Sequence, residues 1–297
     1  MSGPYLVLLI ANLVFATGYA VSRVVLADVG PATLGLARVL IGGALLLAWA
    51  VREGASAPRS PWTREDRVRV ALMGVVGFAL AFALGNWGLA YSTATNAALL
   101  ITVEPTTLLV LSPLLLGERL TRRETLGAVL TLVGAVVVVL DGVPGLTRSL
   151  TPHWRGDLLL ILSGVAYAAY SLLGRGVLTR HPVARVTAHS VVWGAVSIAP
   201  LALHEWCVGP PPSWTAAALV GTLYLGLVIT ALGYAVWNWC LERLGAARVA
   251  AFVNVQPLAG ALLGIWWLRE AVTPFLVLGG VLIVAGLHLT VKPAPTE

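Results

Sequence analysis

Apolar residues run through this chain in ten long blocks, and short loops that carry most of the charge separate the blocks. A bilayer core about 30 Å thick is crossed by roughly 20 helical residues, and each block is close to that length. Runs such as VVVVL and ALLLAWA are apolar on every side. Outer-membrane strands alternate apolar and polar residues instead, so strands are excluded. The pattern predicts an all-α integral membrane protein with ten transmembrane helices.

The predicted helices are numbered here as spans 1 to 10 in chain order. The spans are residues 5–26, 33–51, 68–91, 95–116, 125–140, 157–178, 186–206, 216–241, 247–268 and 274–291. Each boundary carries an uncertainty of about two to four residues, which is usual for a sequence-based assignment.

Landmarks of the first half return in the second half at a fixed distance of 152 residues. The matched pairs are Pro105 and Pro257, Glu118 and Glu270, Gly127 and Gly279, Gly134 and Gly286, Arg23 and Arg175, and Asn86-Trp87 and Asn238-Trp239. Leu and Ala coincide by chance in apolar chains, but these residues rarely do, and no gap is needed. The chain therefore contains an internal duplication.

Each copy holds five spans, and because five is odd, the second copy enters the membrane from the opposite face. The halves are therefore inverted repeats, which pack about a pseudo-two-fold axis with the substrate near the midplane between them. We predict a first five-helix repeat at residues 1–140, an external linker at 141–155, a second repeat at 156–292 and a cytoplasmic tail at 293–297.

Composition and charge agree with a membrane location. Charged residues are 11% of the chain and apolar residues 58%, whereas about 25% of a soluble domain is charged. The net charge of +6 comes from basic residues in short loops, without the basic stripe of a nucleic-acid binder. Of the 19 Lys and Arg residues, fourteen lie in inner loops if both termini are inside, and four lie outside. The positive-inside rule then predicts cytoplasmic termini in a bacterial plasma (inner) membrane.

The end of span 4 and the glycine-spaced span 5 resemble the EamA-type transporters of the drug/metabolite transporter superfamily. The residues that carry the resemblance are Pro105, Gly117, Glu118, Gly127 and Gly134. The second half departs from the pattern, with Arg269-Glu270-Ala271 in place of Gly117-Glu118-Arg119. The resemblance implies a metabolite carrier, often an exporter of amino acids, and the aromatic pattern described next is most similar to the amino-acid exporters.

Several spans present a face that mixes aromatic rings with amide groups, as expected of a cavity wall. The candidate substrate-binding residues are Asn12 and Tyr19 in span 1, Phe82 and Asn86 in span 3, Tyr167 and Tyr170 in span 6, Tyr234 and Asn238 in span 8, and Asn254 and Gln256 in span 9. Individually, such residues also serve as hydrogen-bonded contacts between helices. As a set, they suit neutral or zwitterionic metabolites, amino acids with apolar or aromatic side chains first among them.

Span 4 holds the one acid near a membrane centre, Glu104, beside Pro105. Pro105 and its counterpart Pro257 each free a backbone carbonyl, so both are candidate hinges. Glu104 is either a coupling site or a fixed partner of Arg38 in span 2, and we expect the ion pair. Glu118 and Glu270 are expected to cap the first turn of the helix that follows each of them.

No cofactor or metal site is expected, because the histidines lack metal-ligand spacing and no Walker loop occurs. The expected partners are a small-molecule substrate and membrane lipid, without nucleic acid. The oligomeric state stays open, and a monomer is compatible with the pattern. A secondary exporter that works by alternating access fits best. The alternatives are a membrane-embedded enzyme acting on lipid-linked substrates, and a passive channel.

The inverted topology predicts that the loop after span 2 and the loop between the repeats lie on opposite sides of the membrane. Single cysteines introduced as Ser56→Cys and Ser149→Cys, in a background without Cys207 and Cys240, should react with an impermeant maleimide from opposite sides. Labelling of both from one side would contradict the inverted arrangement.

Overall fold

Each described helix falls on one of the predicted spans. The computed structural model describes residues 3–54, 61–116, 121–141, 143, 153–233, 236, 240 and 255–290. The α-helices are Gly3–Val25, Pro31–Gly54, Arg64–Met73, Ala81–Tyr91, Ala94–Leu100, Val103–Leu116, Arg122–Asp141, Trp154–Leu178, Val183–Val208, Ala216–Tyr224, Val255–Trp267 and Pro274–Thr290, with π-helical segments at Gly74–Leu80 and Leu225–Leu232. The predicted all-α fold is confirmed. Most of the predicted linker and the tail at 293–297 lie outside the described residues.

Seven of the described helices are long and apolar enough to cross a membrane. Three shorter apolar helices, at Ala216–Leu232, Val255–Trp267 and Pro274–Thr290, complete the set of ten. Large apolar side chains such as Leu262 and Trp266 point away from the protein, with 65% and 84% of their surface exposed. Lipid tails cover such a surface at no cost, so this is the outer wall of a membrane bundle.

Four of the spans start at a threonine, and these threonines form two pairs related by the repeat offset. In each case, the threonine hydroxyl accepts a hydrogen bond from a backbone N–H in the first helical turn, which has no partner inside the helix. The pairs are Thr63 with Asp66, Thr215 with Ala218, Thr121 with Glu124 and Thr273 with Leu276. Spans 3 and 8, and spans 5 and 10, therefore start by the same device in both halves.

Spans 3 and 8 also contain a π-helical segment at the same repeat position. Gly74–Leu80, moved by the repeat offset, falls within Leu225–Leu232. A π-helical segment bonds residues five apart and often occurs at functional sites. In span 8 the hydroxyl of Thr230 donates to the backbone oxygen of Leu225, 2.9 Å away and five residues earlier. The segment therefore fixes the direction of the Thr230 side chain.

The backbones of spans 5 and 10 are in contact at the four glycines that the repeat offset relates. A Cβ atom added to Gly134 would lie 2.7 Å from the backbone oxygen of Gly279, and one added to Gly127 would lie 2.6 Å from that of Gly286. The reverse distances, from Gly279 to Gly134 and from Gly286 to Gly127, are 2.8 and 2.5 Å. Because glycine has no side chain, these four positions allow spans 5 and 10 to approach closely.

Two further glycine contacts join the repeats in a symmetric manner. A Cβ on Gly42 of span 2 would lie 3.0 Å from the backbone oxygen of Gly226 in span 8. A Cβ on Gly194 of span 7 would lie 3.2 Å from that of Gly74 in span 3. Gly42 and Gly194, like Gly74 and Gly226, are related by the repeat offset. The same contact therefore occurs twice, as a pseudo-two-fold axis requires.

Two carboxylates of the second repeat cap helices of the first. Glu205, near the end of span 7, accepts hydrogen bonds from the backbone N–H groups of Ala32 and Thr33 at the start of span 2. Glu270 does the same for Ala94 and Thr95 at the start of span 4. The prediction that Glu270 is a capping residue was right in kind but wrong in partner, because it caps span 4 rather than span 10. Its counterpart Glu118 lies outside the described residues.

A buried polar cluster surrounds Asp157 at the start of span 6. The Asp157 carboxylate accepts hydrogen bonds from the hydroxyl of Ser92 and from the amide of Asn96, and it bonds to His153 Nδ1 at 2.7 Å. Ser92 and Asn96 flank the turn between spans 3 and 4. The cluster therefore ties the start of the second repeat to the first, at the end of the bundle where the even-numbered spans begin.

The same cluster favours the protonated form of His153. The hydrogen bond to Asp157 raises the pKa of His153, and the negative charges of Asp157, Asp141 and Glu270 add to this against the opposing effect of burial. Asp141, at the end of span 5, also accepts a hydrogen bond of 2.7 Å from the hydroxyl of Thr273 before span 10. His153 therefore lies among carboxylates from the end of span 5, the start of span 6 and the turn between spans 9 and 10.

The glycine contacts predict a difference between two neighbouring substitutions in span 10. Gly279→Ala would place a methyl group 2.8 Å from the Gly134 backbone oxygen and 2.6 Å from a methyl carbon of Val138. Since backbone cannot yield easily, we expect a loss of about 1–3 kcal/mol of stability, measured as a lower melting temperature in detergent. Gly280→Ala is the matched control, because its nearest neighbour is a Leu99 side-chain carbon 3.5 Å away. Equal melting temperatures for the two variants would contradict the close approach of spans 5 and 10.

His153 predicts a pH dependence of stability. Because its pKa is raised in the folded protein above the ordinary 6.5, its contribution is complete below pH 6.5 and is lost as the pH rises through the raised value. The melting temperature should therefore fall as the pH rises above 6.5 and through the raised pKa, and His153→Gln should reduce that fall. The control is the exposed His204→Gln, which should keep the wild-type pH profile. An unchanged profile in His153→Gln would contradict the assignment.

Candidate functional site

A cavity of about 530 Å³ lies between the two repeats, with walls from spans of both halves. Its volume is in the range of sites that hold small molecules. Among the predicted residues, those that line it are Tyr19, Arg38, Phe82, Asn86, Glu104, Pro105, Tyr167, Tyr170, Gln256 and Pro257. The structure thus brings together predicted residues that are up to 238 positions apart in the sequence, from Tyr19 to Pro257.

One wall of the cavity is aromatic and is built from spans 3 and 6. The ring centroids of Phe82 and Tyr167 are 6.2 Å apart. Behind them, the buried Phe78 makes edge-on contacts with Phe82 at 5.8 Å and with Tyr170 at 5.7 Å. Edge-on pairs at these distances are favourable and hold each ring in one orientation. The wall therefore presents ring faces in fixed positions.

Small residues of span 3 make room for this wall. A Cβ on Gly77 would lie 2.3 Å from the ring of Tyr170, so only glycine allows the ring to occupy that place. One turn further on, Ser163 of span 6 donates a hydrogen bond of 2.8 Å to the backbone oxygen of Ala81. This bond and the packing at Gly77 together set the spacing between spans 3 and 6.

Arg38 extends from span 2 into the cavity and is held by the second repeat. Its Nε donates a hydrogen bond of 2.9 Å to the hydroxyl of Thr230, which the π-helical segment of span 8 orients. Its guanidinium carbon lies 4.7 Å from the centroid of the Phe82 ring. A cation over an aromatic face is stabilised by the ring quadrupole. The cation is thus fixed on two sides, at the edge of the aromatic wall.

Span 4 is interrupted where it meets the cavity. Helix Ala94–Leu100 ends, Ile101 and Thr102 form a turn, and helix Val103–Leu116 follows. Pro105 has no N–H, and the Ile101 oxygen accepts a hydrogen bond of 3.0 Å from Glu104 N instead. The hydroxyl of Thr102 donates to the backbone oxygen of Leu99 at 2.6 Å. Side chains and shorter hydrogen-bonded turns thus bond the backbone groups that the interruption leaves without helical partners. The interruption lies beside Pro105, the predicted hinge.

The predicted ion pair between Glu104 and Arg38 is not formed in this structure. Arg38 binds Thr230 instead, and the ion pairs within the described residues include neither Arg38 nor Glu104. No hydrogen bond of the described residues reaches the Glu104 carboxylate, whereas its backbone N–H is bonded to Ile101. The two charges therefore line one cavity from different spans.

The predicted amides play different parts. Asn86 lines the cavity and donates a hydrogen bond of 3.0 Å to the backbone oxygen of Pro31. Asn12 is fully buried and lies outside the cavity lining, where it donates to the backbone oxygen of Leu8 and accepts from Gln256 at 2.7 Å. Asn12 therefore joins spans 1 and 9, and Gln256 reaches the cavity beside it.

Three predicted residues, Tyr234, Asn238 and Asn254, lie outside the described residues. Conversely, the cavity includes polar residues that the sequence interpretation missed, namely Ser22, Thr102 and Ser171. Ser22 was within reach of sequence reasoning, because it follows Tyr19 by three residues and therefore shares its helix face. Thr102 faces the cavity because of the break in span 4, which periodicity does not indicate.

Comparison with known proteins supports the two-repeat architecture. The EamA-like transporter family matches the chain twice, at residues 2–140 and 154–292. A solved crystal structure of a protein 24% identical to this chain has the same fold, with a TM-score of 0.64 over 97% of this chain and 95% of the other.

Two relatives are similar along almost their whole length. An uncharacterized transporter of Archaeoglobus fulgidus is 28% identical over 291 residues, which is 97% of each chain. A protein of Streptantibioticus cattleyicolor named a probable terminal-alkyne amino-acid exporter is 29% identical over 285 residues, covering 95% of this chain and 91% of its own. The helical membrane fold, the duplicated family match and the central cavity agree with one another. The chain belongs to the EamA-like transporter family and is a multi-pass membrane transporter rather than an enzyme.

Proposed function

We propose that this chain exports small neutral or zwitterionic metabolites, most of all amino acids with apolar or aromatic side chains. The observation that carries the proposal is the composition of the cavity, which combines the rings of Tyr19, Phe82, Tyr167 and Tyr170 with few fixed charges. Ring faces suit apolar and aromatic side chains, and they also attract ammonium groups. The name of the Streptantibioticus cattleyicolor relative, a probable amino-acid exporter, supports the same substrate class.

Other substrate classes fit the cavity less well. A sugar phosphate calls for two or more cations, but Arg38 is the only Arg or Lys among the described lining residues. A dicationic drug calls for several acids, whereas Glu104 is the only acid in that lining. A zwitterion carries one charge of each sign and matches this balance.

We further propose that transport works by alternating access across a bacterial plasma membrane, with both termini in the cytoplasm. The cavity lies between inverted repeats, and in such folds one repeat moves against the other around a fixed site. The break in span 4 beside Pro105 supplies a place where the backbone can bend. The loop charges of the sequence support the orientation.

Counterflow in proteoliposomes tests the substrate class. Vesicles loaded with unlabelled Phe should take up labelled Phe in a saturable manner, with Leu, Met and Thr as competitors. Failure of all four amino acids, together with ready movement of a phosphorylated or dicationic compound, would show that the proposal is wrong. A rate that never saturates would indicate a channel.

A substitution in the aromatic wall tests whether the described cavity is the binding site. Phe82→Ala removes a ring that contacts both Tyr167 and Arg38, so the apparent affinity for Phe should fall by about tenfold, which corresponds to about 1.4 kcal/mol. Trp266→Ala removes an aromatic ring that is 84% exposed, and it should leave the affinity unchanged. Equal effects of the two substitutions would place the site elsewhere.

A further inference from the structure

The cavity carries one positive and one negative side chain on different spans, and neither is paired with the other. Arg38 comes from span 2 and Glu104 from span 4, and both line the same space. We propose that these two residues hold the two ends of a zwitterionic substrate, with Glu104 binding the ammonium group and Arg38 binding the carboxylate. This inference rests on the proposed function and specifies which groups of an amino acid the protein recognises.

Arg38 is set up to bind a carboxylate. Its Nε is bonded to Thr230 and its plane lies over the Phe82 ring, so the side chain is held in one place. Within the part of the chain that the structure describes, no hydrogen bond is made by Nη1 or Nη2 of Arg38. These terminal nitrogens form the planar fork that matches the two oxygens of a carboxylate. A carboxylate substrate therefore finds a positioned donor pair.

Glu104 is set up to bind a cation. Its carboxylate faces the cavity next to the break in span 4, and it has no hydrogen-bond or ion-pair partner within the described ranges. An ionised carboxylate at membrane depth is costly unless a cation or several donors compensate it. An ammonium group of the substrate provides that compensation, and it leaves again with the substrate. The missing partner of Glu104 is thus the substrate itself.

Tyr19 adds a phenol from span 1 to the cavity that Arg38 and Glu104 share. The rings of Phe82 and Tyr167 border the same space.

The repeat counterparts of the two residues are neutral, which shows that the fold does not need the charges. Arg38 corresponds to Ser190, and Glu104 corresponds to Gln256. Ser190 is fully buried and bonds to the backbone oxygen of Val186 at 2.7 Å. Gln256 bonds to Asn12. Equivalent positions in an otherwise similar half are thus filled by groups that bond within the protein, so a structural requirement does not explain the charges.

Competition with substrate analogues tests the clamp in the full-length protein. Uptake of labelled Phe in counterflow is measured against unlabelled Phe, N-acetyl-phenylalanine, which lacks the ammonium, and phenylalanine amide, which lacks the carboxylate. In the wild type, each analogue should compete about 10- to 100-fold less well than Phe, the range expected for loss of one charge-assisted hydrogen bond. If Phe is transported and both analogues compete as well as unlabelled Phe does, the clamp is wrong while the proposed function stands.

The variants should produce a crossed pattern. Glu104→Gln should abolish the preference for Phe over N-acetyl-phenylalanine and keep the preference over phenylalanine amide. Arg38→Gln should abolish the preference for Phe over phenylalanine amide and keep the preference over N-acetyl-phenylalanine. A merely structural role would lower all three affinities together, and that outcome would overturn the proposal. The exposed residues supply the controls Arg52→Gln and Glu65→Gln, which should keep both preferences.

Two further outcomes have a defined meaning. If Glu104→Gln keeps both preferences but loses the pH dependence of transport, Glu104 is a proton site and the clamp is wrong.

If the charge-removing variants fail to reach the membrane, Glu104→Asp and Arg38→Lys take their place. Each conservative variant should weaken only the preference that its own charge provides, and unchanged preferences in both would overturn the proposal. Absence of Phe, Leu, Met and Thr transport in the wild type, together with ready movement of a phosphorylated or dicationic compound, would refute the proposed function itself.

Discussion

Backbone contact through glycine is the constraint on which the rest of this structure depends. Lipid tails are as apolar as leucine, so helices in a membrane gain little from hiding apolar surface and associate through close packing and polar contacts. The contact of Gly134 with Gly279, and the symmetric pair of contacts at Gly42 with Gly226 and at Gly194 with Gly74, bring spans of different repeats together. These contacts fix how closely the two repeats approach each other.

Two irregular parts of the backbone border the cavity. In a bilayer, a break in a helix is tolerated only where protein or a polar cavity satisfies the freed groups. The interruption of span 4 at Ile101 and Thr102 lies at the cavity, and the π-helical segment of span 8 contributes Ile229 to the cavity lining. Backbone irregularity and candidate site therefore coincide, because the cavity is where irregular backbone can be accommodated.

The sequence predicted the fold well because its strongest signals are local or periodic. The length of the apolar blocks predicted the spans, and the repeat offset singled out the four glycines at which spans 5 and 10 meet. It did not indicate that Gly127 lies against Gly286 rather than against its repeat counterpart. Partners across the bundle were harder to predict. Glu270 caps Thr95 of the other repeat, and Arg38 binds Thr230 rather than Glu104. Periodicity shows which side of a helix a residue lies on, but it does not show which helix lies opposite.

The two halves agree where they pack and differ where they enclose the cavity. Threonine caps and glycine contacts recur in both repeats, because each helix of either copy has the same backbone groups to satisfy and the same neighbour to approach. The charges at Arg38 and Glu104 do not recur, since Ser190 and Gln256 stand in the equivalent places. A symmetric cavity would accept a two-ended substrate in either of two orientations related by the axis. Acidic and basic side chains present in one half alone remove that ambiguity. Loss of symmetry at these two positions therefore fixes the orientation in which the substrate binds.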